Sequence, residues 1–132
     1  MGKAAVPKAR PDLEAYEISI RLALPEVVGR LNEILKPKLV AYIAEVSETR
    51  AVKDWATGER TPKTDIEPRL RTALRIALFL AAHDSPGVVQ AWFQGLNPQL
   101  NDISPARLLR TEPAEDAGPA ALAAARAFVV GG

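Results

Sequence analysis

The residue pattern predicts an all-α protein. Hydrophobic residues make up 48% of the chain but aromatic residues only 5%, so the core must be built mainly from Leu, Ala, Val and Ile. Ala and Leu are the strongest helix formers, and β-branched clusters of the kind that make strands are scarce. Prolines and small polar residues also stand where helices begin, and apolar residues recur at helical spacing after them.

Residues 1–12, "MGKAAVPKARPD", offer little to pack and are expected to form a flexible arm. "DLEAYEISIRLAL" reads as a helix, with Leu13, Ile18, Ile20, Leu22 and Leu24 as its apolar residues. In "LPEVVGRLNEILK", Pro25 suits a first helical turn and Glu26 suits the positive end of the helix dipole. Val27, Val28, Leu31, Ile34 and Leu35 then mark one buried face. Pro37 opens "PKLVAYIAEV", with Leu39, Val40, Ile43 and Ala44 turned inward.

Ser47 is the expected N-cap of the next helix, which ends near Trp55 or Ala56, and Gly58 is expected in the left-handed position after it. Pro62 is placed in an exposed connector. Asp65 is expected to cap the longest helix, "IEPRLRTALRIALFLAAHD", whose stripe is Leu70, Leu74, Ala77, Leu78 and Ala81. "SPGVVQAWFQG" and "SPARLLRT" each begin a short helix at Ser-Pro, and "LNPQLNDIS" between them is rich in turn residues. "EPAEDAGP" reads as a loop before a last Ala-rich helix to about Val130. Trp92 and Phe93 are adjacent, so one is expected in the core and the other toward a partner. The segments group as the arm 1–12, a helix-turn-helix domain at 13–83 and a helical C-terminal region at 84–132.

The chain has no cysteine and a formal net charge of only +1. A disulfide scaffold, a thiol nucleophile and a Cys-based zinc site are excluded. The start of the chain carries no signal-like apolar run, and no segment approaches the roughly 20 apolar residues of a membrane span. The expectation is a cytoplasmic protein. Charge is uneven: residues 36–75 hold nine Lys or Arg against six Asp or Glu, and residues 81–132 hold three against five. The sole histidine, His83, is adjacent to Asp84 and Ser85, so the three cannot face one another as a triad. Its expected role is at the C-terminal end of the long helix. No Gly-rich phosphate loop or metal-ligand spacing occurs. The chain is therefore read as a non-enzyme without a cofactor.

The basic middle carries the functional pattern. "PKLVAYIAE" and "SETRAVKDW" are spaced as the two helices of a helix-turn-helix, the second lying in a DNA major groove. Ala51, Val52 and Trp55 then face inward, with Trp55 plugging the helix against its neighbours. Ser47, Thr49, Arg50 and Lys53 are the candidates for base edges and phosphates, and Arg60 and Lys63 for the phosphate backbone. Asp54 is also left outward. Such proteins read paired half-sites, and the long helix looks too apolar for one small domain to cover; both arguments predict a homodimer.

Ser47, Trp55, Gly58, Arg60 and Pro62, followed by "RLRTALRIALFL", resemble the Xre-type helix-turn-helix of the Xre/MbcA/ParS antitoxin family. Trp92, Asn97, Pro98, Leu100, Ser104, Pro105, Leu108 and Leu109 resemble, in order, the toxin-binding region of the same family. The resemblance covers about Pro25 to the C-terminus. It implies an antitoxin that covers the active-site cleft of a NAD-consuming RES-domain toxin and represses its own operon by binding operator DNA. It places Asn97, Pro98, Leu100, Ser104, Leu108 and Leu109 against the toxin, along with the tail residues Phe128, Val129, Val130, Gly131 and Gly132. The chain departs from the family in a turn about one residue longer, with Glu45 or Val46 where a small residue is usual. Glu48 and Asp54 also put negative charge where phosphates would lie. Two other readings fit the same residues: a stand-alone repressor, of phage descent or not, whose C-terminal helices only dimerise it, and an interaction module that no longer touches DNA.

Overall fold

A computed structural model describes residues 10–131 of the chain. Among them eight α-helices form and no strand does: α1 (Pro11–Arg21), α2 (Leu24–Leu35), α3 (Pro37–Ile43), α4 (Thr49–Thr57), α5 (Ile66–Ala81), α6 (Pro86–Gln94), α7 (Pro105–Thr111) and α8 (Ala114–Gly131). The all-α expectation holds. A 3-10 turn at Pro98–Leu100 and an isolated bridge between Asn97 and Ile103 shape the α6–α7 connection. No helix is long and apolar enough to cross a membrane among the described residues.

Proline-led starts are the most regular local feature. Pro37, Pro86 and Pro105 each occupy the first helical position, where a missing N–H costs nothing and the fixed φ already suits a helix. Ser85 and Ser104 cap α6 and α7 through their hydroxyls, which accept from the amides of Val88 and Arg107. Asp65 stands at the start of α5 but makes no capping bond with its side chain.

α5 is the axis of the molecule. It packs against α1, α2, α6, α7 and α8. Leu70, Ala73, Leu74, Ile76, Ala77 and Leu80 are all fully buried, so the helix is enclosed around most of its circumference rather than along one stripe. Leu78 and Ala81, expected inward, are only half-buried and pack at the margin of the core. The chain thus covers α5 itself, and the argument for a dimer from an uncovered α5 falls away; nor is α5 the longest helix, since its 16 residues are exceeded by the 18 of α8. One continuous apolar core joins α2–α5 to α6–α8 across residue 83.

Several local expectations are corrected. Helix α1 starts at Pro11, inside the expected arm; residues 1–9 lie outside the described residues. Its core face is made by Ala15 and Ser19, while Leu13 and Ile20 are exposed. Small residues on that face let α1 lie along α5, and Arg71 of α5 donates to the carbonyls of Ser19 and Leu22 at its end. The segment "EPAEDAGP" is not a loop. The amides of Asp116 and Ala117 bond to the Pro113 carbonyl, and α8 runs on through Pro119. A proline inside a helix is costly. The packing of Ala117, Ala121 and Leu122 offsets that cost, with Gly118 so near α5 that an added Cβ would lie 3.2 Å from Thr72 Cγ2. Trp92 and Phe93 do not part company: both are buried, edge to face, with ring centroids 5.1 Å apart. Pro62 is buried rather than exposed. His83 lies beyond the end of α5, exposed, with its ring edge-on to Phe79.

Candidate functional site

The α3–α4 corner is built by an unusual helix ending. The amide of Val46 bonds to the Ala41 carbonyl and that of Glu45 to the Tyr42 carbonyl. This is a Schellman closure, which calls for a left-handed residue that is usually glycine. Here Glu45 takes it, with φ 60°. A side chain in that conformation costs about 1–2 kcal/mol.

Two distant arginines hold the strained turn. Arg69 of α5 donates to the Ile43 carbonyl at 3.0 Å and to Glu45 Oε1 at 3.2 Å. Arg110 of α7 donates to the Tyr42 carbonyl and lies over the Tyr42 ring, 4.6 Å from its centroid. The last carbonyls of α3 are thereby satisfied by cations, which also suits the negative end of its dipole.

From Val46 the chain extends through Glu48, at φ −124° and ψ 140°, before α4 begins. That extension moves the capping position from Ser47 to Glu48, and no side chain caps α4. Ser47 is exposed and outside the helix, and Thr49 is its half-buried first residue. Ala51, Val52 and Trp55 are buried as their spacing predicts. Asn32 of α2 donates to the Val52 carbonyl, fixing α4 from behind. Gly58 closes α4 in the left-handed conformation, φ 82°.

Arg50, Lys53, Arg60 and Lys63 are all exposed, so the cationic candidates share the α4 corner. Arg60 and Lys63 also line a shallow cleft with Trp55, Pro62 and Ile66. They are not equally available. Asp54, with a side chain only 18% exposed, receives Arg50 at 3.5 Å and Arg60 at 3.0 Å. The Arg60 amide also bonds to the Asp54 carbonyl. Lys53 and Lys63 have no carboxylate within ion-pair distance among the described residues. The i,i+4 spacing of Arg50 and Asp54 signals their pairing; nothing local signals Arg69 or Arg110.

The second candidate set is used differently. Asn97 Oδ1 accepts from the Gln99 amide, and the Asn97 carbonyl accepts from the amides of Leu100 and Asp102. Asn101 and Asp102, both at positive φ, then turn the chain back to the bridge at Ile103. Ser104 caps α7, Leu100 and Leu109 are core residues, and Leu108 is half-buried. Pro98 is exposed. Leu96, which the spacing did not single out, is 76% exposed. At the tail, Phe128 and Val129 pack at the edge of the core, Val130 is 88% exposed and Gly131 is exposed; Gly132 lies outside the described residues.

No group of three or more His, Cys, Asp or Glu side chains is placed to hold a metal among the described residues. Compared with models of known protein families, with curated proteins and with solved structures, the chain matches none.

Proposed function

We propose that this chain is a DNA-binding helix-turn-helix protein of antitoxin type, with α3 as the supporting helix and α4 as the reading helix. One observation carries the DNA reading: α4 buries Ala51, Val52 and Trp55 while Arg50 and Lys53 point to solvent beside Arg60 and Lys63. A helix held on one side by the core, with cations and an uncapped N-terminus on the other, suits phosphates and base edges. The role of Asp54 is to store two guanidiniums beside the helix, which exchange one carboxylate for phosphates on binding.

The antitoxin half of the proposal rests on the resemblance in the Trp92–Leu109 segment and on the exposed apolar residues Leu96 and Val130. In this reading the partner is a RES-type toxin and the operator is the chain's own. The alternative, a stand-alone repressor, draws support from Leu100 and Leu109, which belong to the chain's own core. Co-expression of the tagged protein with its genomic neighbour separates the two. The antitoxin reading expects co-purification and growth rescue, both lost in a Leu96→Asp, Val130→Asp double variant that remains folded. Failure to capture the neighbour, with DNA binding intact, selects the repressor.

A further inference from the structure

Away from α4, three guanidiniums from separate parts of the chain converge. Arg10 precedes α1, Arg75 lies on α5 and Arg126 on α8, and they line one cleft of about 250 Å³ with Asp12, Leu13 and Tyr16. Asp12 Oδ2 stands 3.6 Å from both Arg10 and Arg126. That distance is too long for a hydrogen bond, so the shared carboxylate attracts both groups and saturates neither.

Arg75 is less satisfied still. Its Nε is buried without a hydrogen-bond partner, and no carboxylate stands within ion-pair distance of it among the described residues. Its guanidinium is held over the Tyr16 ring, 4.8 Å from the centroid. With its Nε buried and no carboxylate paired to it, the Arg75 guanidinium keeps an unneutralised positive charge that an incoming anion would offset. Three guanidiniums against one carboxylate leave two positive charges in this cleft.

Arg75 and Arg126 also line an adjoining cleft of about 380 Å³. Ile76, Pro119 and Leu122 give it an apolar wall, Thr72 a hydroxyl, and Glu115 its one carboxylate. That volume falls in the range of small-molecule sites.

We propose that the paired clefts bind a small phosphate-bearing molecule. The dianionic phosphate occupies the arginine cleft, where the planar guanidinium fork matches its oxygens. The organic body lies in the apolar cleft between α5 and α8. None of the lining residues belongs to α4, so the site stands or falls independently of the DNA reading.

The test is a titration of the full-length protein with inorganic phosphate and, separately, with adenosine monophosphate at constant ionic strength. It follows the Arg75 Nε–H resonance and the amides near Asp12 and Gly118. Saturable shifts are expected with both probes, at lower concentration for the nucleotide. Arg126→Met, at a half-exposed position, is expected to weaken binding about tenfold or more. Arg75→Lys, which keeps a stem over Tyr16, is expected to do the same, and Arg30→Met, exposed on α2 and outside both clefts, to leave the titration unchanged. Absence of saturation by about 10 mM of either probe, or unchanged binding in Arg126→Met, overturns the site. Equal affinity for the two probes overturns the assignment of the apolar cleft.

Discussion

The α4 corner and the Asn97–Ser104 segment both present polar residues between apolar ones, yet the fold spends them in opposite ways. On α4 the apolar residues Ala51, Val52 and Trp55 go inward and the cations remain at the surface. In the α6–α7 connection the polar groups of Asn97 and Ser104 are consumed by neighbouring backbone amides, and Leu100, with Leu109 of the α7 helix that follows, enters the core. A regular helix sorts its side chains by angle, so spacing tells inside from outside. An irregular segment must first satisfy its own backbone, and its Asn and Ser side chains are the nearest groups able to do so.

The strongest way to break that contrast is Leu109→Ala. As a fully buried core residue, Leu109 is expected to contribute about 2–5 kcal/mol, read as a lower denaturation midpoint. A variant of wild-type stability that had lost only partner binding would return Leu109 to the interface and undo the comparison.

Arg69→Met comes next. Its side chain, 13% exposed, links α5 to the end of α3. Loss of a charged hydrogen bond to the Ile43 carbonyl is expected to cost about 1.5–3 kcal/mol in chemical denaturation. The exposed Glu45 carboxylate adds little to that figure. A change within experimental error would mean that the turn holds itself.

Two serines sharpen the comparison at smaller scale. Ser104→Ala removes an observed cap and is expected to lower stability by about 1 kcal/mol. Ser47→Ala removes none and is expected to remain within about 0.5 kcal/mol of wild type. Equal losses in thermal melts would show that Ser47 caps α4 after all.

What was legible follows the same division. Pro37, Pro86 and Pro105, with the caps at Ser85 and Ser104, announce helix starts because their chemistry is local. Trp55 and Gly58 take the places their spacing gives them. Long-range effects escaped. Glu45 adopts a glycine conformation beside a turn stapled by Arg69, 24 positions away, and Arg110, 68 positions from its acceptor. "EPAEDAGP" has the composition of a loop, and only packing against α5 makes most of it helix. At the site, the outward face of α4 was readable, and so was the negative charge of Asp54. The joining of Arg50 and Arg60 on that carboxylate was only half so, because Arg60 comes back to it around Gly58.

The most direct test of the α4 reading is the salt dependence of binding to the DNA upstream of the chain's own coding sequence. Fluorescence anisotropy compares wild type with an Arg50→Met, Lys53→Met double variant. Wild-type affinity is expected to fall steeply with salt, with a log–log slope shallower by about 2 in the variant, one for each lost phosphate contact. Equal slopes, or no wild-type binding at low salt, would contradict that reading and leave α4 a structural helix.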